Sequence, residues 1–356
     1  MRARFGSRIR ATGAVAAVAL LALACGGNNS SGGGTASPKI GVVLTYNLPG
    51  FWGNYLKYEE QYKTQLNANL LTPLIANVEA NGNEASQQIT DIHSLVDQGV
   101  KALIVNPADS AAIKPALDYA ASKGVPVVTV DVAPSQGSVY MIVRADNTAY
   151  GSKSCDYIAS KAGASGTVAM VMGDLTSLNA RDRRDGCRAA MQKYPGLKLK
   201  EYETKDWGTE PAVQEATTAL TAISDLKGIY VHWSVPEDGI IAAEKQKNKY
   251  GDVGAANHIA LVGNDGSPHE CDLIRAKTLD ATIDQPADKY AYYAIYYAQQ
   301  AIAGKKYSDG QSTDHNSKIV IVAGNLEDAL AAPLVTLAGD AGATQVNSTD
   351  LWCNNH

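Results

Sequence analysis

Residues 259–286 read IALVGNDGSPHECDLIRAKTLDATIDQP, and this stretch decides the fold. The apolar run 259–262 is typical of a buried strand, and the GNDG turn after it leaves Asp265 at the carboxyl end of that strand. The Ser-Pro pair that follows predicts the start of a helix, and a second strand, 281–283, precedes Gln285. An acid and an amide thus follow two successive parallel strands, at the sheet edge where α/β proteins bind ligands.

Strands and helices alternate along most of the chain. Further strands are predicted at 39–45, 74–78, 102–105, 127–130, 140–143, 167–172, 197–202, 228–231 and 318–322. Helices are predicted at 51–67, 84–98, 110–123, 148–162, 177–193, 210–224, 237–246, 268–276 and 287–303. This order predicts an α/β fold of two Rossmann-like lobes, each with a parallel sheet, and a ligand cleft between the lobes.

Composition and charge exclude several classes of function. The chain has 356 residues, 45% of them hydrophobic, which suffices for two lobes with cores of their own. Without the four arginines of residues 1–25, the formal net charge falls from −5 to −9, and such an acidic body argues against a nucleic-acid partner. We find no nucleophile elbow, zinc motif or phosphate loop, so the sequence predicts no catalytic activity, no cofactor and no metal.

The N-terminal region has the pattern of a targeting segment. Arginines precede the apolar run 14–24, which is too short to span a bilayer and ends at Cys25. Residues 1–25 resemble a bacterial lipoprotein signal peptide in which Cys25 is lipidated; an ordinary cleaved signal is the alternative. Residues 26–37 are rich in Gly and Ser and predict a flexible tether. We therefore expect an extracytoplasmic protein anchored to the membrane.

Several segments together resemble one family, the ribose-type periplasmic sugar-binding proteins, which are type I solute receptors of ABC importers. The similar segments are KIGVVLT at 39, DIHSLVDQGVKALIVNPADS at 91, GVPVVTVD at 124, ADN at 145, NARDRRDG at 179, GNDGSP at 263 and DATIDQ at 280. The resemblance covers about residues 38–325. It implies two lobes joined by three crossovers that close on a small polyhydroxylated ligand.

The resemblance also implies where the lobes begin and end. The N-terminal lobe would comprise 38–145 and 286–322, and the C-terminal lobe 146–285 and 323–356. Asp146 and Pro286 would lie in the hinge, and the protein would act as a monomer.

Position by position, the resemblance nominates a set of ligand-binding residues. They are Phe51, Trp52, Asp131, Arg181, Trp207, Asp265 and Gln285. Trp233 joins them because HWSVP replaces the Asn-Asp pair of the family. Aromatic planes suit the C–H faces of a sugar, and acids or amides suit its paired hydroxyls. Arg183 or Arg184 could take the place of Arg181, and the two acids could instead cap helices.

Four cysteines follow the signal, an even number that predicts two disulfides outside the cytoplasm. Cys155 and Cys187 lie on helices of consecutive βα units of the second lobe, to which Cys271 and the tail with Cys353 also belong. We therefore predict the pairs Cys155–Cys187 and Cys271–Cys353, out of three possible pairings.

The nominated charges are two acids and one arginine, which favours a neutral ligand. The predicted function is capture of a neutral sugar or polyol for an ABC transporter permease. A nucleoside is the alternative ligand. A receptor that signals to a membrane kinase or chemoreceptor is the alternative role. A glycoside hydrolase using both acids is disfavoured, because an arginine and an amide between the acids would hold them ionised, which suits hydroxyl binding better than acid catalysis.

The anchor can be tested directly. Replacing Cys25 by alanine removes the thiol that would carry the lipid, so Cys25→Ala should release soluble protein or leave the precursor unprocessed. Membrane fractionation measures this, and mature variant protein that stays with the membranes would contradict the lipoprotein interpretation.

Overall fold

The computed structural model describes residues 37–46, 50–76, 84–339 and 342–355. The predicted signal peptide 1–25 with Cys25, and residues 26–36 of the predicted tether, lie outside these ranges. None of the helices in the described ranges combines the length and apolarity that a bilayer span requires.

The first lobe is built on an eight-stranded sheet. Its strands are β1 (Lys39–Leu44), β2 (Asn69–Leu70), β3 (Leu74–Ile75), β4 (Ala102–Val105), β5 (Val127–Val130), β6 (Met141–Ala145), β12 (Lys318–Val322) and β13 (Asn325–Leu330). Their order is β12-β13-β6-β5-β4-β1-β2, with β3 also pairing with β1, and only β12 runs antiparallel to its neighbour. The helices of this lobe are α1 (Phe51–Gln65), α2 (Glu84–Asp97), α3 (Lys114–Ser122) and α9 (Ala287–Ile302).

The second lobe has a seven-stranded sheet. Its strands are β7 (Gly166–Met172), β8 (Leu197–Glu203), β9 (Leu226–Val231), β10 (Ala260–Asp265), β11 (Ala281–Asp284), β14 (Leu334–Thr336) and β15 (Thr344–Gln345). They follow the order β15-β14-β11-β10-β9-β7-β8, and β14 is antiparallel to β11. The helices are α4 (Asn147–Ala162), α5 (Leu178–Met191), α6 (Thr209–Ala222), α7 (Glu237–Gln246) and α8 (Pro268–Arg275). Two mostly parallel sheets covered by helices confirm the predicted α/β class with two lobes.

Buried apolar strands explain why each sheet needs helices on both faces. All four residues of β4 and of β5 are buried, as expected for central parallel strands without a solvent-facing side. The edge strand β8 is largely exposed. Each sheet therefore encloses its apolar centre and leaves the carboxyl ends of its strands open at one edge.

One predicted lobe boundary is wrong. The prediction assigned 323–356 to the second lobe, but β13 pairs with β6, so the chain leaves the first sheet only after Leu330. The other two changes of sheet lie between β6 and α4, at Asp146, and between β11 and α9, at Pro286. Asp146 caps α4 by accepting a hydrogen bond from the Ala149 amide at 2.9 Å, and Pro286 precedes α9.

The stretch 259–286 forms a longer strand than predicted. β10 continues through Gly263 and Asn264 to Asp265, which pairs with Asp284, so Asp265 ends the strand instead of lying in a turn. A Cβ atom at Gly263 would lie 1.7 Å from a carboxyl oxygen of Glu237, so any larger residue would force that buried side chain to move. Ser267 begins α8 with a capping box, which leaves Asp265 free of a capping role.

Both predicted disulfides are confirmed: Cys155–Cys187 joins α4 to α5, and Cys271–Cys353 joins α8 to the tail. The α4–α5 pair is also packed through glycine. A Cβ atom on Gly151 would lie 1.7 Å from the Arg183 carbonyl oxygen, and one on Gly186 would lie 2.1 Å from that of Thr148. The two helix backbones therefore touch, and this contact fixes the position of Arg183.

The glycine contact predicts whether an alanine substitution raises or lowers the free energy of unfolding. In an exposed helix, Gly→Ala stabilises by about 1 kcal/mol. Because the methyl group would collide with the backbone of α5, Gly151→Ala should instead lower the free energy of unfolding by about 1–3 kcal/mol. Urea denaturation measures the change. Ser160→Ala, at an exposed position of the same helix, should be nearly neutral, and a stabilised Gly151→Ala protein would show that the helices are not in contact.

Candidate functional site

A cavity lies between the two lobes at the carboxyl ends of their strands. Of the eight predicted ligand-binding residues, seven line it: Phe51, Trp52, Asp131, Trp207, Trp233, Asp265 and Gln285. The first three come from the first lobe and the next three from the second, while Gln285 stands at a crossover. The strand order therefore gathers at one place side chains that are distant in sequence.

The two acids are held in an unusual backbone conformation. Asp131 follows β5 with φ 65°, and Asp265 ends β10 with φ 105°. Residues other than glycine rarely adopt positive φ, and such strain is found mainly where structure or function requires it. Hydrogen bonds hold Asp265 in place. Its carboxylate accepts from the backbone N–H of Ser234 at 3.0 Å and from the Ser234 hydroxyl at 2.7 Å, and its backbone carbonyl accepts from the backbone N–H of Gln285 at 2.9 Å.

A series of hydrogen bonds connects the lobes through the cavity wall. Asp131 Oδ1 accepts from the side-chain amide groups of Asn179, which lies in α5, and of Gln285, both at 3.0 Å. Gln285 Oε1 in turn accepts from Arg183 at 2.9 Å. Arg183 also donates to Asn147 at 2.7 Å and to the His232 carbonyl. A buried acid, an amide and a buried cation thus satisfy one another.

Burial dominates the electrostatics of the two acids. It raises the pKa of Asp131 to about 6, against the opposing effect of Arg183, and Asp265 raises it further. Burial also raises the pKa of Asp265, again opposed by Arg183. Burial therefore disfavours the ionised form of both acids in the folded protein, which is typical of residues kept for binding and not for folding.

Arg181, predicted as a ligand-binding residue, does not line the cavity, whereas Arg183, the predicted alternative, does. Arg181 donates to the carbonyl oxygens of Leu175 at 2.6 Å and Thr176 at 3.0 Å, so it holds the loop before α5. Two residues along a helix turn the side chain by about 200°, which carries Arg183 to the opposite face. There its guanidinium lies between the rings of Tyr150, at 4.9 Å, and Trp207, at 5.8 Å.

Aromatic side chains form the apolar part of the cavity. In the first lobe, Phe51 and Trp52 meet edge to face at 5.1 Å. In the second lobe, Trp207 and Trp233 meet at 5.3 Å with an interplanar angle of 76°. A Cβ atom at Gly173 would lie 2.4 Å from the Trp207 ring, so a glycine is needed beneath it. Ring planes from both lobes can therefore face the C–H surface of a bound solute.

Sequence reasoning missed several residues of the cavity. Those with polar side chains are Thr45, Tyr46, Asn106, Ser177, Asn179 and Thr209. Asn106 and Asn179 lie inside segments that resemble the family, so those motifs carried the signal. Nothing in the sequence marks Thr209 as a cavity residue, because its position depends on how β8 and α6 meet.

The cavity offers polar atoms that the protein itself leaves unused. Asn106 Oδ1, Ser177 Oγ and Trp233 Nε1 are buried and have no hydrogen-bond partner among the described residues. Asp131 Oδ2 and Asp265 Oδ1 likewise receive no hydrogen bond from this part of the chain, since each acid is held through its other oxygen. Buried polar atoms normally have partners, so the arrangement suits a ligand that both donates and accepts hydrogen bonds.

Comparison with known proteins agrees with this geometry. The family description "periplasmic binding protein domain" matches residues 40–306. The ribose import binding protein of Bacillus subtilis is 30% identical over 225 residues, which cover 63% of this chain and 70% of that protein. The xylitol-binding protein of Mycolicibacterium smegmatis is 27% identical over 261 residues, or 73% of this chain and 70% of the relative.

A solved structure shares the fold. A periplasmic solute-binding protein of an ABC transporter from Actinobacillus succinogenes, crystallised with D-allose, superimposes with a TM-score of 0.72. The match covers 84% of this chain and 98% of that one at 22% identity, and it confirms the two-lobe architecture.

The raised pKa of Asp131 predicts that this residue lowers the stability of the ligand-free protein. Burial disfavours the ionised form of Asp131 in the folded state, and this lowers the free energy of unfolding in full above about pH 6. The loss of stability fades as the pH falls towards 3.8, the ordinary pKa of an aspartate. In ligand-free protein, Asp131→Asn should raise the free energy of unfolding by about 1–3 kcal/mol at pH 8 and by less than about 1 kcal/mol at pH 4. Urea denaturation at both pH values measures this. Asp309→Asn, at an exposed position, is the control, and a destabilised Asp131→Asn protein at pH 8 would contradict the assignment.

Proposed function

The chain belongs to the periplasmic binding protein family, and from this we propose that it captures a small neutral sugar or polyol for an ABC importer by closing its lobes. Proteins of this family bind solutes for transport and are not enzymes. The relatives that bind ribose and xylitol support a polyhydroxylated ligand.

The observation that carries the proposal is the set of unused polar atoms between aromatic planes. Asp131, Asp265 and Asn106 offer acceptors, while Trp233 and Ser177 offer donors. Each of the three Arg183 nitrogens donates one hydrogen bond to the protein, so two of the five N–H groups of the guanidinium remain for a ligand. A hydroxyl group is both donor and acceptor, so a ligand with several hydroxyls can satisfy this set.

The charges around the cavity select against anions. Among the described residues that line the cavity, Arg183 is the one cation that Asp131 and Asp265 face, and it already donates to Gln285 and to the His232 carbonyl. A sugar acid or sugar phosphate would meet two carboxylates in a site from which most water is excluded. A nucleoside is the second candidate ligand, because its base could lie on Trp207 or Trp233.

The location and partners are part of the proposal. The family description that matches this chain names a periplasmic binding protein domain, which supports a location outside the cytoplasm. A lipid on Cys25 and the tether 26–37 would hold the receptor at the membrane beside a permease, and it would work there as a monomer. The anchor and the tether rest on the N-terminal sequence.

Calorimetric titration tests the ligand class and the arginine together. D-Ribose, D-allose, xylitol and myo-inositol are the neutral probes, and D-gluconate is the anionic one. At least one neutral probe should bind and change tryptophan fluorescence, because Trp52 and Trp207 lie in different lobes. Removing a charged donor in a buried site typically costs about 1.5–3 kcal/mol, so Arg183→Gln should weaken binding tenfold or more.

Arg181→Gln is the matched control, two residues away on the same helix but bonded to loop carbonyls outside the cavity. It should bind the same probe within twofold of the wild type. Tighter binding of D-gluconate than of every neutral probe, or an Arg183→Gln protein of full affinity, would show that the cavity does something else.

A further inference from the structure

The polypeptide after β15 crosses behind the cavity and contacts both lobes. Cys353 is bonded to Cys271 of α8, and Arg275 of α8 donates to Asn354, so the tail is fastened to the second lobe. On the other side, the Tyr58 hydroxyl of α1 donates to the Asn355 carbonyl at 2.7 Å. The tail is therefore a fourth link between the lobes, in addition to the three crossovers.

Adjacent side chains of the tail enter different cores. Leu351 and Cys353 are buried in the apolar core of the second lobe. Trp352, between them, is buried in the core of the first lobe together with Phe51 and Tyr290. The disulfide thus holds the chain at the lobe boundary with one large ring directed across it.

Trp352 contacts one ligand-cavity residue from each lobe. Its ring lies edge to face against Phe51, at 6.4 Å and an interplanar angle of 87°. Its indole N–H donates to the carbonyl oxygen of Asp265 at 3.1 Å. This carbonyl belongs to the residue with φ 105°, so the hydrogen bond helps to stabilise a strained backbone.

We infer that Trp352 is a positioning residue of the binding site, set in place by the Cys271–Cys353 disulfide. It does not line the cavity, yet it fixes Phe51 and Asp265 relative to each other from behind. The inference extends the proposed function by adding a residue that governs affinity without touching the ligand. It also gives this disulfide a role in binding that Cys155–Cys187, which lies wholly within the second lobe, does not share.

Three variants test the inference. Trp352→Phe keeps an aromatic ring and removes the N–H donor. The Cys271→Ala/Cys353→Ala double variant frees the tail. Cys155→Ala/Cys187→Ala removes the other buried disulfide as the matched control. Each is titrated with D-ribose, D-allose, xylitol and myo-inositol at a temperature where urea denaturation shows it to be folded. The first two should bind the best probe at least fivefold more weakly than the wild type, and the control should bind within twofold.

Amide hydrogen exchange without ligand gives a second readout that does not depend on the proposed function. The Gln285 amide donates to the same Asp265 carbonyl, so peptides covering 283–287 should exchange about fivefold faster in the first two variants and unchanged in the control. If no probe binds the wild type, the proposed function fails and exchange alone decides on Trp352. Wild-type exchange and affinity in Trp352→Phe, or equal losses in the control, would overturn the inference.

Discussion

The buried carboxylate of Asp131 is the constraint on which the arrangement of the two lobes depends. A buried ionised group needs several hydrogen bonds to offset its lost hydration. Here Asn179 supplies one from the second lobe and Gln285 supplies another from a crossover, and Arg183 holds Gln285 in turn. Both donors therefore lie outside the lobe that carries Asp131, so the hydrogen bonds that satisfy this acid also join the first lobe to the second lobe and to a crossover.

The site is maintained against the preferences of its own residues. Two non-glycine residues at the cavity adopt positive φ, and both carry buried acids. Such positions lower stability, so the rest of the fold has to offset them. Central strands with no exposed residue, the direct backbone contact of α4 with α5, and two disulfides supply that compensation.

Strand ends could be predicted from the sequence because an apolar run followed by Gly, Asp or Asn is a local signal, and this signal placed Asp265 and Gln285 at the sheet edge, while the family resemblance nominated Asp131. Which face of a helix is turned towards the cavity is harder to predict from the sequence. Helix α5 has arginine at three neighbouring positions, and only its packing against α4 turns Arg183 towards the cavity. β13 was missed for another reason. Its Glu327 and Asp328 are buried, so it lacks the apolar pattern of a strand, and their partners Arg144 and His315 are identified only by the fold.

The Cys271–Cys353 bond also closes a covalent ring. The ring starts and ends in the second lobe, while its middle part, from α9 to β13, belongs to the first lobe. It therefore contains two of the three crossovers. If the protein were pulled apart between residue 37 and residue 355, tension would run through the crossover at Asp146 and then through the disulfide, and the chain inside the ring would stay slack. Only one crossover would therefore carry the covalent tension between the lobes, although the chain passes between them three times.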